Sequence, residues 1–211
     1  MSKAVAQADG LRHILIVRVI GGRLRGRRLA TAEGLSVRPT SDRLRETLFN
    51  ILSPRIQDSR FLDICAGSGA VAIEALSRGA HTAHLIENAR NALSVIDKNL
   101  RSLGIGSDSA IVIRKDALVA LKDLSRLNCR FDVVFFDPPY ASGLYDRVLT
   151  ELSDSELLSP EAIVVAEHRS KTPPRPEYDN LKLYRELRQG ESALAFYKID
   201  QHRTLTSPAQ Q

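Results

Sequence analysis

From residue 61 onward, short apolar runs alternate with stretches in which apolar residues recur every three or four positions. Runs at 61–65, 84–86, 110–113, 131–136 and 162–165 predict strands, and the periodic stretches at 70–78, 89–103, 117–127 and 144–152 predict helices between them. Strands that are apolar nearly throughout and separated by helices imply a parallel sheet covered on both faces. After Pro176 the alternation stops. Residues 181–187 and 193–197 read as two strands joined by a turn at Gln189-Gly190, an antiparallel hairpin closing the sheet. Ahead of the alternation, residues 13–30 read as a hairpin with apolar Ile14 to Ile20, a Gly21-Gly22 turn and a basic second arm. A helix follows: Thr40, Ser41 and Asp42 are each N-cap candidates, Leu44, Leu48, Ile51 and Leu52 form its apolar face, and Pro54 is expected to end it.

This pattern divides the chain into a basic N-terminal hairpin and helix (1–55), a sheet domain (56–200) and a disordered tail (201–211). With 211 residues, 43% hydrophobic and 26% charged, it has the makeup of a chain that folds. At this length about 70% of the unfolded surface becomes buried, so neither disulfide nor structural metal is required. The two cysteines, Cys65 and Cys129, lack metal-ligand spacing and read as reduced thiols. The first twenty residues carry Lys3, Asp9, Arg12 and Arg18, and the apolar run 14–17 is too short for a signal peptide or membrane span. A cytoplasmic monomer is expected. The absence of Trp and the 5% aromatic content disfavour a strand binder built on stacking platforms.

The net charge of +5 is unevenly spread. Residues 1–55 hold 11 Lys+Arg against 4 Asp+Glu, a net +7, and the remainder is net −2. Four arginines within six residues, Arg23, Arg25, Arg27 and Arg28, beside Gly22 and Gly26, read as a phosphate clamp rather than a merely solvated arm.

Candidate chemistry lies at strand ends. The first strand runs through Asp63 into Ala66-Gly67-Ser68-Gly69 and a helix, where glycines let a ligand approach the backbone and the helix N-terminus. A nucleotide-like cofactor is implied, although Ala72 stands where a dinucleotide fingerprint needs its third glycine. Glu87 ends the second strand, where a carboxylate can accept ribose hydroxyl protons, and Asp116 ends the third. With Asp63 these would wall an adenosine pocket; any one alone would serve equally as a helix cap. The fourth strand ends in Asp137-Pro138-Pro139-Tyr140. Two prolines fix the backbone and remove two N–H donors, leaving rigid carbonyl acceptors beside a carboxylate and a phenol ring. That set suits an amine on a flat ring, with Tyr140 stacking on the base.

These ordered motifs resemble those of class I S-adenosylmethionine-dependent amino-methyltransferases. More narrowly, residues 18–29, 38–50, Ala66-Gly-Ser-Gly-Ala70 and Glu74-Ala-Leu-Ser-Arg-Gly79 resemble the RsmD family of bacterial small-subunit (16S) rRNA (guanine-N2)-methyltransferases. The resemblance spans residues 14–199. It implies an α/β, Rossmann-like fold: a mostly parallel seven-stranded sheet with helices on both faces, a C-terminal antiparallel hairpin, and a small N-terminal hairpin and helix. It implies S-adenosylmethionine and no metal, with Gly67 and Gly69 lining the cofactor, Glu87 on its ribose, Asp116 facing its adenine, and Asp137 to Tyr140 catalytic. The block from Arg38 through Thr40, Arg43 and Arg45 helps close the cofactor pocket in this resemblance and is also expected to contact RNA. Arg43 and Arg45 are expected opposite the helix's apolar stripe.

The expected reaction is direct displacement: a flipped guanine presents its exocyclic amine in line with the methyl group, and Asp137 stabilises the developing positive charge. Cytosine C5 chemistry would need a cysteine nucleophile, and neither cysteine is placed for it. An adenine-N6 methyltransferase keeps the same cage, and a non-catalytic ribosome-assembly factor would use the basic arm equally well. An NAD-dependent oxidoreductase lacks the third glycine and has no use for the amine cage.

Overall fold

A strand buried on both faces must carry apolar side chains pointing both ways, and the central strands do. The computed structural model describes residues 17–31, 42–139 and 143–200. A two-stranded ladder, β1 (Val17–Arg18) and β2 (Arg28–Leu29), precedes helix α1 (Asp42–Ile56). The alternation then runs β3 (Arg60–Ile64), α2 (Ala70–Ser77), β4 (Thr82–Ile86), α3 (Arg90–Leu103), β5 (Ala110–Ile113), α4 (Ala117–Arg126), β6 (Phe131–Phe136), α5 (Leu144–Asp154) and β7 (Leu158–Arg169). Strands β8 (Glu177–Tyr178), β9 (Leu181–Gln189) and β10 (Ser192–Ile199) complete the sheet. Its order is β5-β4-β3-β6-β7-β10-β9-β8, parallel from β5 to β7 and antiparallel beyond.

Successive residues of one strand feed two cores. Phe61, Val133 and Phe135 pack with α1, α2 and α3 on one face, while Leu62, Ile64, Val134 and Phe136 pack with α4 and α5 on the other. Among the described residues no helix is long and apolar enough to cross a membrane.

The structure departs from the expected architecture in four places. The sheet has eight strands rather than seven, because Glu177–Tyr178 adds a two-residue strand against Lys182 and Leu181 at the β9 edge. The N-terminal ladder pairs only Val17 with Leu29 and Arg18 with Arg28. Gly21-Gly22 is therefore not its turn: a wide loop from Val19 to Arg27 is closed by Val19 N–H on the Arg27 carbonyl (2.9 Å) and Gly26 N–H on the Val19 carbonyl (2.8 Å).

Helix α1 runs past Pro54 to Ile56. Proline deprives the Asn50 carbonyl of a donor, but both residues are exposed and water can satisfy it, while buried Ile56 holds the last turn to the core. Finally, Arg45 is not on the outer face of α1. It is 1% exposed, and its guanidinium donates to the Arg18 carbonyl (2.5 Å) and the Asp42 carboxylate (2.9 Å).

Phe135 fills the core between β3 and β7 from the middle of the sheet. Phe135→Ala is expected to lower the unfolding free energy by about 3–5 kcal/mol, read by urea denaturation.

Candidate active-site cleft

A strand that ends beside a glycine-rich turn leaves backbone groups facing outward, and here two such ends lie side by side. Strands β3 and β6 are paired in parallel with Ile64 opposite Phe136, so Cys65 and Asp137 leave the sheet together, and Asp137 N–H reaches the Ile64 carbonyl (3.3 Å). A cleft of about 1130 Å³ opens at this point. One half is walled by residues after β3, β4 and β5, among them Gly67, Glu87, Lys115 and Asp116. The other half is walled by Asp137, Pro138, Pro139 and Leu144, and by the ends of β7 and β10.

The turn after β3 adopts left-handed backbone conformations at Cys65 (φ 65), Gly67 (φ 56) and Gly69 (φ 76). A Cβ at Gly67 would meet no atom within 4 Å, so glycine is favoured there by backbone conformation rather than by crowding, and the space beside it is left open to a ligand. Glu87 holds this turn. Its carboxylate accepts from Gly67 N–H (2.9 Å), Asn88 N–H (2.8 Å) and Ala89 N–H (2.9 Å). Three of its roughly four acceptor directions are thus used, leaving one on Oε2 for an incoming hydroxyl. Asp116 both faces the cleft and caps α4, accepting from Leu118 N–H (3.0 Å).

Asp63 stands elsewhere than expected. It lies beneath the turn rather than in the cleft wall, 2% exposed, and accepts from Ala72 N–H (3.1 Å) inside α2. Burial pushes its carboxyl up to about 7. Asp137 is held well above the ordinary carboxylate range, first by desolvation and then by the nearby charges of Glu167 and Asp63. Burial pushes the Cys65 thiol up to about 12, with Glu87, Asp137, Asp63 and Asp116 adding to it, so the cysteine stays a thiol and not a nucleophile. Among the described residues no cluster has the makeup of a metal site.

Ala66, Ser68 and Gly69 shape the turn without lining the cleft, and Arg43, exposed on α1, does not line it either. Arg38, Thr40 and Tyr140 lie outside the described residues. Sequence reasoning missed the second wall: Arg169 at the end of β7, Ser170, Lys171 and Thr172 just after it, and Ser192 at the start of β10. The signal was topological. A hairpin turn returning antiparallel to β7 must come back beside that strand's carboxyl end, and Ser170 N–H bonds the Glu191 carbonyl there (2.9 Å).

The family model described as Conserved hypothetical protein 95 matches residues 17–198. The chain belongs to this family. It is 38% identical over 182 residues to Ribosomal RNA small subunit methyltransferase D of Escherichia coli K12, covering 86% of this chain and 89% of that protein. The protein of the same name from Haemophilus influenzae is 39% identical over 157 residues, 74% of this chain and 81% of that one. Among solved structures, Escherichia coli yhhF superposes with a TM-score of 0.77 at 39% identity, covering 87% of this chain and 98% of that chain. Thermus thermophilus TTHA0928 superposes at 0.76 with 34% identity, covering 87% and 100%. The resemblance of the motifs to the RsmD family is thereby borne out, as is the α/β methyltransferase fold.

In this member of the Conserved hypothetical protein 95 family the basic loop is fastened to α2 by buried polar side chains. Glu74, 0% exposed, accepts from Ile20 N–H and Gly21 N–H (2.7 Å each) and from Arg78 Nε (2.7 Å). Ser77 accepts from Leu24 N–H (2.9 Å) and donates to the Gly21 carbonyl (2.6 Å), while its own carbonyl accepts from Arg23 N–H (2.8 Å). At Gly22 (φ 74) a Cβ would fall 1.9 Å from the Ser77 carbonyl oxygen, so only glycine permits this approach. Arg23, Arg25 and Arg28 are exposed and make no ion pair among the described residues. Arg27 is exposed too, with one donor on the Ser102 carbonyl at the end of α3 (2.9 Å). Arg45 is the exception among the expected RNA-contacting arginines: it is buried under the arm, where desolvation lowers its pKa, and its contacts are to Arg18 and Asp42.

Asp63 has a consequence that can be measured. Its folded pKa of about 7 lies above the ordinary carboxylate value of 3.8. The folded protein therefore keeps a proton that the unfolded chain loses, and this stabilisation is present below pH 4 and vanishes as pH rises to 7. Thermal unfolding of the cofactor-free protein should show the Asp63→Asn variant gaining on the parent between pH 4 and pH 7, with a constant difference above.

Proposed function

We propose that this protein transfers a methyl group from S-adenosylmethionine to the exocyclic N2 amine of a guanine in small-subunit rRNA, as a monomer in the bacterial cytoplasm. The observation that carries the reading is the meeting of the open Gly67 turn, the Glu87 carboxylate and the Asp137-Pro138-Pro139 corner in one cleft. The donor set fits a cofactor of this kind: an adenosine moiety suits the half bounded by Gly67, Glu87 and Asp116, where carboxylates accept hydroxyl or amino protons. When bound, S-adenosylmethionine supplies a methyl group already activated by its sulfonium. The cleft continues past this half to the Asp137-Pro138-Pro139 corner, where the flipped base is assigned.

On this reading the chain's own residues bind, orient and manage one proton. The Asp137 and Pro138 carbonyls, stiffened by the proline pair, and the Asp137 carboxyl accept the amine's N–H groups and so aim its lone pair. Tyr140 is assigned the stacking role on the base. A positive charge in the cleft favours the ionised form of Asp137, and its desolvated surroundings make that carboxylate a ready acceptor for the proton the amine releases after methylation. Lys171, exposed at the second wall, is placed for a phosphate of the target strand. Arg23, Arg25, Arg27 and Arg28 on the docked loop supply non-specific attraction for the RNA.

The guanine and the RNA come from the family, whose relatives above are named for the small ribosomal subunit. The experiment is methyl transfer from labelled S-adenosylmethionine to small-subunit rRNA, small-subunit assembly particles and duplex DNA, followed by nucleoside identification. Label in N2-methylguanosine is expected from an RNA-containing sample. N6-methyladenosine instead would establish the adenine chemistry, and no label in any sample, with cofactor bound, would leave an assembly factor. Asp137→Asn should lower the transfer rate by about 10²–10³-fold while leaving S-adenosylhomocysteine binding near the parent value. Replacing Arg23, Arg25 and Arg28 together by Ala should reduce the slope of log affinity against log salt by about 2, measured by filter binding to single-stranded rRNA fragments; an unchanged slope would remove the arm from the RNA interface.

A further inference from the structure

Asn99 is an amide buried in the last turns of α3, 1% exposed, and it does not line the cleft. Its side chain makes three hydrogen bonds to two segments far apart in sequence. Its Oδ1 accepts from Ala30 N–H (2.8 Å), and its Nδ2 donates to the Ala30 carbonyl (3.1 Å) and to the Ser68 carbonyl (2.9 Å). Ala30 is the first residue after β2, where the basic arm leaves its ladder. Ser68 sits between Gly67 and Gly69 in the turn that faces the cleft. One carboxamide therefore ties the exit of the arm to the glycine turn.

We propose that Asn99 is a positioning residue that couples the two sites, so that cofactor held against the glycine turn orders the arm, and RNA held by the arm strengthens cofactor binding. The proposal rests on the reading of the cleft as a cofactor site. A ligand packed against the backbone at Gly67 restricts the Ser68 carbonyl that follows. The two Nδ2 protons then have fixed targets, and the planar amide transmits that restriction to Oδ1 and Ala30. Alternative rotamers of a buried amide would leave backbone groups unpaired, so the linkage is stiff. Linkage between two binding events is reciprocal, so each ligand tightens the other by the same factor. Glu74 and Ser77 fasten the arm to α2, make no hydrogen bond to Ser68 and do not line the cleft, so they hold the arm without this link.

The first measurement needs no substitution. In the native protein, saturating S-adenosylhomocysteine should slow hydrogen exchange at the Ala30 amide about tenfold, along with the amides of the glycine turn. Protection of the turn without protection at Ala30 overturns the coupling. Absence of any S-adenosylhomocysteine binding overturns the methyltransferase reading itself, so the two failures are told apart.

The second measurement separates the two halves of the amide. Asn99→Asp keeps an acceptor for Ala30 N–H but loses both donors and faces the Ser68 carbonyl with oxygen. It should raise the Kd for S-adenosylhomocysteine, and the cofactor KM, about tenfold with kcat within about threefold of the parent, and it should abolish the ligand-induced slowing at Ala30. A variant that loses thermal stability yet retains the parent Kd and the Ala30 response would make Asn99 a packing residue only.

Discussion

The pairing of β3 with β6 is the constraint on which the cleft depends. The chain lays down β3, β4 and β5 outward in one direction, then returns across β3 to place β6 on its other side. At such a reversal the loops from adjacent strands diverge, and the space between them cannot be filled by either crossover helix. The Ile64–Phe136 register decides which residues border that space: a shift by one residue would turn Asp137 to the opposite face and part it from the glycine turn. The apolar character of both strands enforces the register, because Phe61, Leu62, Val133, Val134, Phe135 and Phe136 must each find a core on its own side.

Carboxylates gather where this geometry leaves them least solvated. Asp63 and Asp137 belong to adjacent strand ends, and Glu167 lies one residue beyond Ala166, the β7 partner of Phe136. Desolvation raises both Asp63 and Asp137, with the charge of Glu87 adding at Asp63 and those of Glu167 and Asp63 adding at Asp137. Such a set is costly in an isolated fold, and it suits a site that must receive a positively charged ligand and then a proton. Glu87 has a different part: its carboxylate accepts from three backbone N–H groups, so it organises the turn and retains a single direction for recognition.

Most of the sheet was legible because a two-sided parallel strand leaves a plain signature in sequence, and β3, β4, β5 and β6 fall where the apolar runs place them. That Gly67, Glu87, Asp116 and Asp137 would border one cleft was legible for a related reason: in this topology the strand ends converge there. What escaped was set by distant backbone. Arg45 reads as a surface residue by helical position, yet it is buried on the Arg18 carbonyl. Glu74, Ser77 and Asn99 read as ordinary helix residues, because the arm groups they hold are main-chain atoms more than fifty positions away in a segment with little regular structure to announce it. Periodicity identifies side chains that meet other side chains across elements, and is blind to those that satisfy irregular backbone.

That blindness falls on the part of the molecule where the charge lies. The catalytic sheet is close to neutral and the excess of arginine sits in the N-terminal segment, so an arm free to sample many positions would concentrate RNA without aligning it. A loop with so little internal ladder cannot hold its own shape. Its rigidity has to come from buried acceptors and donors supplied by the helices on the sheet, which is what Glu74, Ser77 and Asn99 provide. The position of the arginines is thus borrowed from α2 and α3, the same two helices that bracket the glycine turn, and a displacement of that turn is felt by the arm through the carboxamide they share.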